Sequence, residues 1–416
     1  MFVESIKARN FKSFRELAVD FNDLNIFIGA NAAGKSSFVR LFAFIRDIFL
    51  YGLEDAVSLQ GGIAYMRNLK IGSNQPFELE LVLSAGGKGE PMVGEFGGRE
   101  LFYQAEEIRY QFTLDFFGTK DNLAYEIGDD VLEIKFVFSN CENGGSWNKR
   151  ANLTLTGDGD GFRADLKAAG VKVGKEDFIP SSYGRQAIQE GELLLQKPLI
   201  YTIVPALENF LRGISLYNFD PNITRGASAV SGRAGLEKDG SNLPLVLKNI
   251  LDRKESRRKL INLMRDILPF VRDMKVDRFT EHSLVFKLQE VFAEGEYIPA
   301  SLLSDGTINV TALIVALYFV DNRVALFEEP ERNIHPHLIS RVVEMFYDAA
   351  RDKQVFATTH NPEMVKFLDL HNLFLVQRSD KGFSSIIKPI EREEVKIFLR
   401  QDMGIDELYI QNLLEV

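Results

Sequence analysis

Apolar and polar positions change their period along this chain in a way that separates strands from helices. Phe2–Ala8 and Glu16–Phe21 alternate and Leu24–Ile28 is a nearly continuous apolar run, which predicts three strands with a turn at Asn10-Phe11-Lys12-Ser13-Phe14 between the first two. A helical stretch follows from Lys35 to Phe49. Four strand-like segments come next, Phe77–Leu83, Ile108–Phe116, Leu123–Ile127 and Val131–Phe138, separated by glycine, asparagine and aspartate clusters in the manner of an antiparallel sheet. Residues 140–197 are rich in glycine and charge and predict short strands at Ala151–Leu155 and Phe162–Leu166. The helical period returns over Leu207–Leu268, and Val276–Phe279 with Ser283–Leu288 reads as a hairpin. The last part predicts helix Val310–Phe319, strand Val324–Phe327, helix His337–Ala349 and strands Gln354–Thr358 and Leu373–Gln377. Strands that alternate with helices imply a mostly parallel sheet covered on its faces.

Composition narrows this picture without changing it. With 416 residues, 45% hydrophobic and 26% charged, the chain has the make-up of a soluble globular protein of two or three domains. No N-terminal segment has the order of a signal peptide, and the longest apolar stretch, Ala312–Val320, is too short to span a bilayer. The single cysteine, Cys141, permits no internal disulfide and fits a reducing compartment, so a cytoplasmic location is expected. A net charge of −10 argues against a surface that is basic all round. Arg253, Lys254, Arg257, Arg258 and Lys259 form a candidate basic patch, for which a solvated helix face is the plain alternative. There is no short repeat, no low-complexity tract and no heptad run long enough for a coiled-coil arm.

The chemistry is concentrated at strand ends. Gly29-Ala30-Asn31-Ala32-Ala33-Gly34-Lys35-Ser36 is a complete phosphate-binding loop, placed after the strand Leu24–Ile28 and opening a helix. Glycines let the backbone turn its N–H groups onto phosphate oxygens, Lys35 reaches the outer phosphates, and the Ser36 hydroxyl is suited to Mg2+. The helix behind the loop points its positive end at the same anion. A nucleoside triphosphate is the implied ligand. Leu303-Ser304-Asp305-Gly306-Thr307 precedes a helix and offers either a second anion-binding end or a common turn. Val324-Ala325-Leu326-Phe327-Glu328-Glu329-Pro330 ends an apolar strand in two carboxylates, Glu328 for the metal and Glu329 for the attacking water; the alternative is an acidic loop closing a buried strand. His360 ends the next strand, where it could hydrogen-bond a γ-phosphate. His335 and His337 lack a third and fourth ligand at metal-site spacing, and Pro336 suits a helix start.

Taken together these motifs resemble the ABC-type ATPases of the SMC/RecF/OLD branch, and within it the stand-alone predicted ATPases related to the OLD family. The resemblance rests on Asn10–Phe14, Gly29–Ser37, Leu303–Thr307, Glu328–Glu331 running into Ile334-His335-Pro336, and Thr358-Thr359-His360-Asn361-Pro362, with Asp239-Gly240-Ser241-Asn242-Leu243 before the helical lobe. It covers residues 1–49 and 207–416. It implies an α/β, ABC-type P-loop NTPase fold with a mostly parallel core sheet, an antiparallel β side sheet and a helical lobe. The expected divisions are 1–140 and 301–416 as two ATPase lobes, 141–206 as a variable insertion and 207–300 as a helical subdomain.

The resemblance further implies a Mg2+-dependent ATP phosphohydrolase whose two heads sandwich nucleotide. Lys12, Gly29, Asn31, Ala32, Gly34, Lys35, Ser36 and Ser37 would bind nucleotide, Ser36 and Glu328 the metal, and Glu329 and His360 would serve catalysis. Ser304, Asp305, Gly306 and Thr307 would complete the partner's site in trans. Implied partners are a second copy or a larger homo-oligomer, an effector or nuclease protein, and nucleic acid, with no membrane. The implied role is regulation of that effector in DNA maintenance or phage defence; the alternatives are an SMC-like DNA clamp and a transporter ATPase subunit. Glu328 stands where aspartate is more usual, the signature reads Ser-Asp-Gly-Thr, Gln60 lies too early for the glutamine loop, and Tyr217–Arg225 contains no glutamine. With Asn361–Val416 following His360, the Toprim nuclease that OLD proteins often carry is not expected.

Overall fold

The computed structural model describes residues 1–85, 91–96, 98–119, 122–140, 149–157, 161–179, 191–232, 235–393, 395 and 405–411. Cys141 lies outside the described residues. In chain order the elements begin with β1 (Phe2–Phe11), β2 (Phe14–Asp20), β3 (Leu24–Ile28), α1 (Lys35–Tyr51), α2 (Leu53–Leu59) and α3 (Ile63–Met66). Next are β4 (Phe77–Ser84), β5 (Met92–Phe96), β6 (Arg99–Thr119), β7 (Asn122–Asn140), β8 (Lys149–Gly157), β9 (Phe162–Ala169), α4 (Pro198–Ile203), α5 (Pro205–Arg212) and β10 (Ile214–Tyr217). There follow α6 (Pro221–Thr224), β11 (Ser228–Ala229), α7 (Leu243–Leu251), α8 (Lys254–Ile267), β12 (Val271–Thr280), β13 (Ser283–Glu290) and β14 (Ile298–Pro299). The chain continues through α9 (Asp305–Tyr318), β15 (Val324–Glu328), α10 (Pro336–Ala349), β16 (Gln354–Thr359), α11 (Pro362–Val365), β17 (Leu373–Arg378) and β18 (Ser384–Ile387). It divides into two compact units, Met1–Asn22 with Ala32–Ile214 and Val376–Ile387, and Asp23–Asn31 with Ser215–Leu375 and Lys388–Val416.

The first unit is built on an antiparallel sheet in the order β2-β1-β4-β6-β7-β8-β9, with β18 parallel to β2 and β5 on β6. Its buried face is rich in phenylalanine: Phe77 lies 5.6 to 5.7 Å from the rings of Phe11, Phe44 and Phe112, which ties α1 to the sheet. The segments Leu123–Ile127 and Val131–Phe138, expected as separate strands, are one strand. The Gly128-Asp129 pair that reads as a breaker is a bulge, with Phe112 opposite Asp130, Leu114 opposite Ile127, and the Asp129 N–H donating to Thr113 Oγ1. β8 and β9 extend this sheet, so part of residues 140–197 is regular β structure.

In the second unit β15, β16, β3 and β17 are parallel neighbours in that order, with β10 beside β15. Every residue of β3 and β16 is buried, as a strand covered on both faces requires, and Phe27 stacks on Phe374 at 4.8 Å. A small antiparallel sheet orders β11-β13-β12, with β14 on β13. The helical reading of Leu207–Leu268 holds for α5, α7 and α8 but not for Ile214–Tyr217. That stretch is a strand, three of its four residues buried, held where Tyr217 stacks on Phe327 of β15. None of the described helices is long and apolar enough to cross a membrane.

Candidate functional site

The phosphate-binding loop leaves β3 at Ile28. Its backbone is bent where the sequence calls for it, with Gly34 at φ 125° and Ala32 at φ 64°. A Cβ on Gly34 would stand 2.8 Å from Ser384 Cβ and 3.1 Å from Ser13 Oγ, so glycine is needed there for space as well as for φ. Two loop carbonyls are held from behind: Arg378 Nη1 donates to Ala32 O at 3.3 Å and Ser384 Oγ to Ala33 O at 2.5 Å. Holding the carbonyls in this way suits a loop whose N–H groups serve an anion. Gly29 is buried and Asn31 exposed; α1 then starts at Lys35, which is buried, followed by exposed Ser36 and half-buried Ser37.

Lys12 occupies the β1–β2 turn at φ 47°. Its Nζ donates to Gln60 O and Tyr65 O at 3.2 and 3.3 Å, and its backbone N–H to Met66 O. Burial, followed by the charge of Arg40, pushes its pKa down to about 8. Gln60 is buried, with Nε2 donating to Arg40 O.

Parallel pairing brings three strand ends to one edge. Glu328 of β15 is opposite Thr358 of β16, and Thr359 is opposite Ile28 of β3, so Glu329, His360 and Gly29 all follow strands that end together. The carboxyl ends of parallel strands are where such sheets bind ligands. Glu328 is half-buried with Lys238 Nζ at 3.7 Å. Glu329 sits at φ 48°, its N–H donating to Thr358 O, with Arg332 Nη2 at 2.8 Å and His360 Nδ1 at 2.9 Å from its carboxylate oxygens. Burial pushes the Glu329 carboxyl up, but the hydrogen bonds and charges of Arg332 and His360 outweigh it and leave the pKa below the ordinary value. His360 itself is exposed.

The Ser304–Thr307 segment is a capped helix start. Ser304 Oγ accepts the Thr307 N–H at 3.2 Å and pairs with Thr307 Oγ1 at 2.9 Å. Asp305 is ion-paired with Arg225, and a Cβ on Gly306 would stand 2.8 Å from Asn333 O, in the turn that follows Glu329. Ser304 is exposed and Thr307 buried. His335 and His337 hold their Nδ1 atoms 2.6 Å apart at the start of α10, and the described residues contain no group of three or more metal-ligating side chains. Sequence reasoning passed over Lys238, Arg332, Arg378 and Ser384. Lys238 had a signal, since it directly precedes the Asp239–Leu243 segment; Arg378 and Ser384 had none, being more than 340 positions from the loop they brace.

Two family models match the sequence. One, described as "AAA domain, putative AbiEii toxin, Type IV TA system", covers residues 218–366, and one described as "AAA ATPase domain" covers residues 1–74. Among curated proteins none matches. Similar solved structures include an SMC head bound to the C-winged helix domain of ScpA, 13% identical with a TM-score of 0.51, covering 93% of this chain and 98% of that one. They also include the SMC head domain from Thermotoga maritima, 13% identical with a TM-score of 0.47, covering 93% and 99%. The first likeness shows the fold, the mixed α/β architecture of an SMC-head, ABC-type P-loop ATPase with parallel and antiparallel sheets.

Proposed function

We propose, from the premise that the chain carries AAA-type ATPase domains in an SMC-head-like fold, that it binds and hydrolyses ATP and uses the bound nucleotide to join two copies of itself. One observation carries this reading: Glu328 ends β15, and Glu329, His360 and the first residues of the phosphate loop follow strands ending at one edge of the parallel sheet. Lys35 and the loop N–H groups hold the phosphates, with Lys12 as a further cation. Glu329, kept ionised by Arg332 and His360, orients or deprotonates the attacking water. His360 contacts the γ-phosphate and reports its presence through Glu329.

A magnesium ion fits the residues at hand. The ion commonly takes one or two carboxylates or hydroxyls from protein and the rest from phosphate and water. Ser36 is exposed on the first turn of α1, and the half-buried Glu328 carboxylate has Lys238 Nζ at 3.7 Å. Held by ligands of this kind, the ion would neutralise phosphate charge. The capped start of α9 at Ser304–Thr307, exposed at Ser304, suits a signature that completes a second copy's site in trans, next to Leu302, which is 75% exposed.

The output of the switch would be control of an effector or nuclease partner in the cytoplasm, in DNA maintenance or phage defence, consistent with an OLD-like stand-alone ATPase. The toxin–antitoxin wording of the model matching residues 218–366 supports that direction. A second reading, a head that itself grips nucleic acid, is favoured by one feature. Lys254, Arg257, Arg258, Arg265 and Arg272 line a groove of α8 and β12 together with Asp273, which pairs with Arg257, while Arg272 pairs with Glu294. Solution mass of the Glu329→Gln protein with and without Mg-ATP tests the switch. A rise in mass on ATP addition is expected; a monomer unchanged by ATP would overturn the trans reading, and salt-dependent DNA binding would promote the second.

A further inference from the structure

Glu328 and Glu329 have roles in the reading above, but the third acid of the same run, Glu331, is the most deeply buried of the three. It is 5% exposed, and one carboxyl oxygen, Oε1, accepts the Thr359 hydroxyl. The other, Oε2, is a buried oxygen without a hydrogen-bond partner. Such an acid costs stability, and its place in the fold indicates what it provides in return.

Thr359 is the residue before His360. Its Oγ1 also accepts the Asn361 N–H at 2.9 Å, so the residues on both sides of the histidine are tied to one hydroxyl, and that hydroxyl to Glu331. On its own side Glu331 belongs to the turn that carries Glu329: Arg332 N–H donates to Glu329 O and Ile334 N–H to Glu331 O. That turn is strained at Glu329, whose φ of 48° is one that a glutamate holds only when its surroundings impose it, while Asn333 at φ 61° is a residue that tolerates the left-handed region. The Glu329 N–H also donates to Thr358 O at 2.9 Å, a second polar link from that turn to β16.

We infer that Glu331 is a positioning residue for ATP hydrolysis, a buried carboxyl that locks the Glu329 turn to the Thr359–Asn361 loop and so sets the Glu329–His360 contact. Without it, the turn and the histidine loop keep the backbone bond at Thr358 but lose the side-chain tie that flanks His360. Burial pushes the carboxyl of Glu331 up, Glu329 pushes the same way, and the Thr359 hydroxyl and His360 oppose it. A neutral amide can therefore replace the acid and still accept from Thr359. Its effect falls on the chemical step rather than on nucleotide binding, since the groups that Glu331 engages are Thr359, Glu329 and His360.

The inference rests on the ATPase reading, and hydrolysis by the wild-type protein separates the two. Steady-state turnover and affinity for a fluorescent ATP analogue are measured for wild type, Glu331→Ala, Glu331→Gln, Thr359→Val and the Glu331→Ala/Thr359→Val double variant. Glu331→Ala and Thr359→Val should each lose about tenfold or more in kcat with KM and analogue affinity within about twofold, as expected when an active-site contact is displaced rather than a binding contact removed. Glu331→Gln should recover most of the rate, and the double variant should be no slower than the slower single, because both cut one link. Wild-type turnover in Glu331→Ala and Thr359→Val, or a Glu331→Gln protein as slow as Glu331→Ala, would overturn the inference. If Glu331→Ala does not fold, Thr359→Val and Glu331→Gln decide it. Wild-type protein without Lys35-dependent hydrolysis would instead overturn the ATPase reading itself.

Discussion

Lys12 and Glu329 are displaced from their ordinary pKa in ways that make separate predictions. Lys12, lowered from 10.5 to about 8, releases its proton in the folded protein before it would in the unfolded chain. Below pH 8 both states hold the proton and the burial penalty is fully present; between about 8 and 10.5 the unfolded state binds more, so this group's contribution makes the fold more stable as pH rises. Phosphate binding needs the charged form, so affinity for a non-hydrolysable ATP analogue should fall as pH passes 8. Lys12→Arg keeps its charge throughout and should remove that step. Equal loss in both proteins would take Lys12 away from the phosphates. Glu329 is held ionised, so its replacement removes a base already in its working form. Glu329→Gln should lower kcat by about 10²-fold or more while analogue binding is kept; unchanged turnover would show that another group handles the water. Both residues stood out in the sequence as candidates because of the motifs around them. Their pKa directions were not legible there, since Arg40 and His360 act on them through the fold.

At the level of elements, the N-terminus of α9 and the turn after β15 are one assembly. Asn309, 3% exposed, donates Nδ2 to Arg332 O at 2.5 Å, and Gly306 lies against Asn333 O. Removing that donor deletes a part-buried hydrogen bond, so Asn309→Ala should cost about 0.5–1.5 kcal/mol in urea unfolding. A change within about 0.3 kcal/mol would mean that the turn is held without it. The loop end of α1 is under a similar constraint. Gly34→Ala adds a Cβ at φ 125° against Ser384 and should destabilise by about 1–3 kcal/mol, read as a lower urea midpoint. Strands β3, β15 and β16 were visible as apolar runs of five or six residues. The length of β6 and β7, 21 and 19 residues, was not, because glycine and aspartate signal a break locally while the paired strand absorbs them as a bulge. Ile214–Tyr217 was missed for the opposite reason: four residues carry too little period to be told from the helix before them.

For the whole molecule, ATP acts as a ligand of the folded state. Analogue at a hundred times its Kd should raise the unfolding free energy by about 2.7 kcal/mol, seen as a higher melting temperature, and Lys35→Ala should abolish the shift. A Lys35→Ala protein that still responds would move the nucleotide elsewhere. The sequence by itself determined the phosphate-loop motif, the placing of Glu328, Glu329 and His360 at strand ends, and the α/β alternation, because these depend on residue chemistry and backbone preferences over ten positions or fewer. Only the tertiary structure decided that β3 lies between β16 and β17, that His360 meets Glu329, that Lys238 faces Glu328 and that Thr359 reaches Glu331. Those contacts join residues 28 to several hundred positions apart, and they form only when strand pairing and burial outweigh the entropy of closing the chain between them.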